Sequence, residues 1–99
     1  MDRDQVVSLL KASKPIVRDR FKVELVGLFG SYARNQHHAK SDLDLLYQPL
    51  EGASFGLAEV IALENYIKEL VKVNSVDLVD RDYINPVIAL EIQDELVYV

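Results

Sequence analysis

The pattern of apolar and polar positions divides the 99-residue chain into segments of distinct period. From Asp4 to about Ala12, Val6, Leu9 and Leu10 fall on one helical face, and Pro15 is suited to open a second short helix carrying Ile16, Val17 and Phe21. A kinked helical arm is therefore predicted first. Glu24 to Phe29 is a short, nearly continuous apolar run ending at Gly30, which predicts a strand buried on both faces. Asp42 to Leu45 alternates polar and apolar, as a half-buried strand does. Between the two, Asn35 to Lys40 is polar and reads as an exposed loop, with Asn35 tolerant of a left-handed backbone. After a break over Pro49 to Ser54, a longer helix is predicted from about Phe55 to Lys72, ended by Asn74 and Ser75. Its Val60, Leu63, Ile67, Leu70 and Val71 share one face, with Glu59, Glu64, Lys68 and Lys72 largely on the other. Val76 to Asp80 has the length and composition of a third strand. Asn85 and Pro86 can cap and open a closing helix through about Asp94, and Glu95 to Val99 can add an edge strand. The sum is an α/β (α+β) fold: a small mixed sheet of three to four strands packed with about four helices. It is expected to form a single domain over residues 1–99.

Composition narrows the function classes. With 49% hydrophobic and 27% charged residues, the chain has the make-up of an ordinary soluble globular protein. A net charge of -5 opposes unaided binding to nucleic acid, which leans on lysine and arginine to neutralise phosphates. Zero cysteines exclude disulfides, thiolate metal sites and thiol catalysis. No apolar run approaches the length of a membrane span, and Met1 to Asp4 lacks the basic-then-apolar layout of a secretory signal, so a cytoplasmic location is expected.

The chemistry concentrates where the first apolar run stops and the second begins. Gly30 frees the backbone and lets a phosphate approach the main chain, while Ser31 is a good N-cap for a short helix through Tyr32, Ala33 and Arg34. Amides at such a turn favour an anion. Ten residues separate Ser31 from Asp42. In a strand, Asp42 and Asp44 would face the same way, about 6.5 to 7 Å apart. Two carboxylates that close repel unless protons or cations intervene, and magnesium is a hard ion that takes carboxylate, phosphate and water oxygens. Asp77 lies between Val76 and Leu78 in an otherwise apolar strand, where burying an unpaired carboxylate is costly. If that strand lies beside the second, Asp77 faces the same cleft; Asp80 is the substitute if the register is shifted. Arg34 can either steady phosphates or pair with a neighbouring acid, and it is left outside the core site. His37 and His38 form a conceivable metal pair, although adjacent loop histidines are more often solvated. Tyr32 and Phe29 are read as packing residues.

Gly30-Ser31, the ten-residue interval and Asp42-x-Asp44 together resemble the signature of the polymerase-β-like nucleotidyltransferases. The wording Phe-Gly-Ser-Tyr-Ala-Arg followed by Ser-Asp-Leu-Asp-Leu, in so short a chain, is similar to the minimal nucleotidyltransferase (MNT) branch, the antitoxin half of HEPN/MNT toxin–antitoxin pairs. The resemblance implies ATP as substrate, cradled at Gly30 and Ser31. It implies two Mg2+ ions held by the catalytic carboxylates Asp42, Asp44 and Asp77, the last being the family's third acid. It further implies transfer of AMP to a hydroxyl, expected to be a tyrosine, of a cognate HEPN ribonuclease toxin, which neutralises that toxin. The alternative is a non-catalytic antitoxin that neutralises by binding and occlusion. Transfer to a small molecule is disfavoured, because relatives of that kind carry a further domain to hold their substrate.

Overall fold

The computed structural model describes residues 1–99, with the elements α1 (Arg3–Phe21), β1 (Val23–Phe29), α2 (Gly30–Ala33), β2 (Leu43–Pro49), α3 (Leu57–Val71), β3 (Val76–Asp80), α4 (Pro86–Glu95) and β4 (Val97–Tyr98). A 3-10 turn at Arg81–Tyr83 joins β3 to α4. The strands form one sheet in the order β3-β2-β1-β4. β1 runs antiparallel to both β2 and β4, while β2 and β3 are parallel and joined through α3. The expected mixed sheet with about four helices is thus the observed architecture.

The two predicted N-terminal helices are one. α1 continues through Pro15 for 19 residues, capped by Asp2, whose side chain accepts from the Gln5 amide while Gln5 returns a bond to the Asp2 amide. Proline withholds only the hydrogen bond to the carbonyl of Lys11, four residues back. Lys11 is exposed, so water can serve that carbonyl. Val6, Leu10 and Val17 meanwhile bury a continuous stripe that holds the helix on the sheet across the proline.

Leu63, Ile67 and Val71 of α3 join α1 against the same sheet face, which contributes Val23, Leu25 and Leu28 from β1, Leu43, Leu45 and Tyr47 from β2, and Val76 from β3. α3 is shorter than predicted at both ends. Gly56 is its N-cap, with the Gly56 amide donating to Glu59 Oε2 at 3.0 Å, and Lys72 turns left-handed to end it ahead of Asn74.

β1 is not buried on both faces. On its second face Glu24, Val26 and Phe29 are only half-buried. The pairing with β2 slips between Leu25 and Gly27, leaving Val26 as an extra residue. This bulge switches the parity of the strand, so Leu25 and Leu28 both point into the core. Gly27 then faces β4, where a Cβ would stand 2.6 Å from the Val97 carbonyl oxygen and 2.9 Å from Leu96 Cδ1.

Candidate active site

Antiparallel pairing sets the end of β1 beside the start of β2, with Phe29 opposite Asp44. The chain then turns at Gly30, whose φ of +73° lies in the region that favours glycine. A Cβ at Gly30 would also collide with Asp44 Oδ2, so the turn and the carboxylate demand the same residue. The short helix starts two residues earlier than predicted. Phe29, in extended conformation, takes the N-cap position, and Ser31 lies inside α2 without capping it. The Ser31 carbonyl instead accepts from the Gln36 amide at 2.9 Å.

Asp44 is the second residue of β2 and half-buried. Parallel register puts Asp77, the second residue of β3, directly beside it. Asp42 stands just ahead of β2 rather than within it, anchored through the Leu43 amide, which donates to the Ser75 carbonyl at 3.0 Å. Both Asp42 and Asp77 are exposed, so the burial cost anticipated for Asp77 does not arise: the start of β3 lies at the open rim of the sheet. Asp80 is at the other end of that strand, opposite Tyr47, where its side chain accepts from the Asp82 amide.

The electrostatics converge on Asp44. Its carboxyl is pushed up to about 6, first by partial burial and then by the negative charges of Asp77, Asp42 and Glu95, with Arg34 acting in the opposite direction. The donor set is entirely oxygen and strongly anionic, and it fits a hard divalent cation such as Mg2+ better than a soft one. The three aspartates do not close on a single ligating point, as expected of like charges that repel.

Glu95 is a member of this group that sequence reasoning missed. It ends α4, and its side chain reaches back so that Oε1 accepts from the Gly30 amide at 3.0 Å and Oε2 from Arg34 Nη1 at 2.6 Å. Of the two roles open to Arg34, the structure shows the pairing with an acid. The histidines do not act together. His37 stacks on the buried Tyr32 with ring centroids 3.8 Å apart and contacts the Met1 carbonyl through Nε2, while His38 Nδ1 accepts from the Lys40 amide. Asn35 adopts the expected left-handed conformation, and its side chain ties the loop to the amide of Arg3. An apolar hollow of about 260 Å³ lies elsewhere, under α4, lined by Leu46, Ile84, Ala89, Ile92 and Leu96 among others. The carboxylates open instead on the sheet rim.

A family model described as Polymerase beta, Nucleotidyltransferase matches residues 11–99. The chain belongs to that nucleotidyltransferase family. Among its relatives is the protein adenylyltransferase MntA of Thermococcus cleftensis, 38% identical over 96 residues that cover 97% of this chain and 94% of the relative. A solved structure described as a minimal nucleotidyltransferase superposes with a TM-score of 0.78 at 27% identity, covering 100% of this chain and 97% of its own. A complex of a tri-AMPylated Shewanella oneidensis HEPN toxin with an MNT antitoxin matches with a TM-score of 0.58, covering 97% of this chain and 66% of that one. At 20% identity the last shows the nucleotidyltransferase fold alone. No helix is long and apolar enough to cross a membrane.

Proposed function

We propose that this nucleotidyltransferase is a protein adenylyltransferase of the antitoxin type, moving AMP from ATP to a tyrosine hydroxyl of a HEPN ribonuclease toxin. The observation that carries the reading is the placement of Asp44 between the Gly30 turn and Asp77, a carboxylate held partly out of water with acids beside it. The protein adenylyltransferase among its relatives and the AMP-bearing HEPN toxin bound by a protein of this fold support the choice of nucleotide and acceptor.

In this reading the triphosphate lies against the backbone at Gly30 and Ser31, and Asp42, Asp44 and Asp77 hold Mg2+. Bound Mg2+ neutralises phosphate charge and lowers the proton affinity of the attacking hydroxyl. Asp44, fixed in β2, sets the distance between the phosphates and the strand. Asp77, exposed at the rim, is open to an incoming hydroxyl and accepts its proton. The acceptor oxygen forms a bond to the α-phosphorus as the bond to the β-phosphate oxygen breaks, and pyrophosphate leaves. The rim location matters, since an acceptor presented on a second protein can reach it without entering a cavity.

Incubation of the purified protein with ATP labelled in the α-phosphate, Mg2+ and the protein encoded by the adjacent gene tests the proposal. Label is expected on a tyrosine of the neighbour and is expected to vanish in the D42A/D44A double variant, along with neutralisation of RNA cleavage. Neutralisation that survives both substitutions, with no label transferred, would establish occlusion by binding instead.

A further inference from the structure

Glu95 occupies the position of an anion. One of its oxygens accepts a backbone N–H from the glycine turn and the other a guanidinium N–H from Arg34. These are the donors a phosphate oxygen would need at the same turn, and a planar carboxylate and a phosphate present comparable acceptor pairs to arginine. Neither N–H can serve both acceptors at full strength. The location of Glu95 is not explained by its helix. It is the last residue of α4, whose final turn carries no basic residue, and a carboxylate at the negative end of a helix is electrostatically disfavoured. Nor is it a loose surface contact. Its side chain is 28% exposed, and the residues that follow it are pinned, with Val97 and Tyr98 paired to Leu28 and Gly27 of β1. The fold holds this carboxylate over the turn.

We propose that Glu95 is a built-in competitor of the nucleotide: its carboxylate stands in the phosphate cradle and must rotate out before a triphosphate can bind, so that it sets the apparent affinity for ATP. The inference rests on the nucleotidyltransferase reading of the site and names the group that regulates it. Displacement leaves Gly30 and Arg34 free to receive phosphate, with the guanidinium already positioned beside the turn. Its cost scales the apparent affinity by the fraction of molecules in which the cradle is open. A role of Glu95 as a cation ligand is disfavoured by the same geometry, because both of its oxygens already face N–H donors.

Calorimetric titration of ATP with Mg2+ into wild type, E95Q and E95A decides the matter, together with kcat and KM for AMP transfer. Glutamine keeps the volume and one carbonyl acceptor for the Gly30 amide but loses the charge facing Arg34; alanine empties the cradle. Both variants are expected to bind ATP about three- to tenfold more tightly, with KM falling in step, while R34A weakens binding in either background. Should E95A fold poorly, E95Q carries the decision, its folding checked by its melting temperature. Equal or weaker ATP binding by a folded E95Q, alongside a wild type that binds ATP and transfers AMP, overturns the competitor role and leaves the enzyme intact. Absence of ATP binding in all three forms overturns both readings.

Discussion

Gly30 carries two constraints that no other residue meets together. Its backbone is left-handed, and the space a side chain would fill is occupied by Asp44 Oδ2. Gly30→Ala is therefore expected to lower unfolding free energy by about 1 to 2 kcal/mol from the backbone alone, with a further loss of AMP transfer because Asp44 is pushed aside. Thermal denaturation and label transfer measure the two effects separately. This position was legible in the sequence because a glycine ending an apolar run has few other uses. Asp44 stood out through its alternation with Asp42, and Asp77 as a lone charge between Val76 and Leu78, although the burial cost read there does not arise because Asp77 is exposed. Glu95 was not. Its partners are 61 and 65 residues away in the chain, and the local signal was only an acid at the wrong end of a helix.

At the level of elements, apolar runs, alternation and composition pointed to the strands and to α3, but split α1 in two and did not show where β1 departs from regularity. The Val26 bulge leaves no mark in a run of consecutive apolar residues, since such a run suits either parity. Pro15 misled for a related reason. A proline suits the first turn of a helix, and only the tertiary contacts of Val6, Leu10 and Val17 reveal that the same helix runs through it. The bulge has a consequence for the site. By turning Gly27 toward β4 it permits the close approach of Leu96 and Val97, and that approach carries Glu95 over the Gly30 turn. Gly27→Ala is expected to cost about 1 to 3 kcal/mol through overpacking and to loosen the C-terminal residues first. Hydrogen exchange reads this as faster exchange at the Val99 amide, which in the native fold donates to the Val26 carbonyl. Unchanged exchange there would mean that β4 tolerates the added methyl.

For the molecule as a whole, the arrangement places Asp42, Asp44, Asp77 and Glu95 around one end of the sheet in a chain that already carries a net charge of -5. The folded state should resist ionising Asp44 more than the unfolded chain does, since its carboxyl is raised to about 6 from the ordinary 3.8. Between about pH 4 and 6 the unfolded state then binds fewer protons than the folded one, so stability falls as pH rises through that window, and the loss is complete above it. In EDTA, the melting temperature of wild type is expected to decline across this range relative to D44N, which lacks the titrating group. If the proposed site holds Mg2+, the cation should reverse the trend, because the ionised carboxylate that destabilises the fold is the form a cation would bind. At a tenfold excess over its dissociation constant, Mg2+ adds about 1.4 kcal/mol, or about 5 to 10 °C in a domain of this size. That increment should be large at pH 7.5, small at pH 5 and absent in D44N. A Mg2+ effect independent of both pH and Asp44 would place the cation away from this rim and remove the electrostatic basis for the proposed catalytic site.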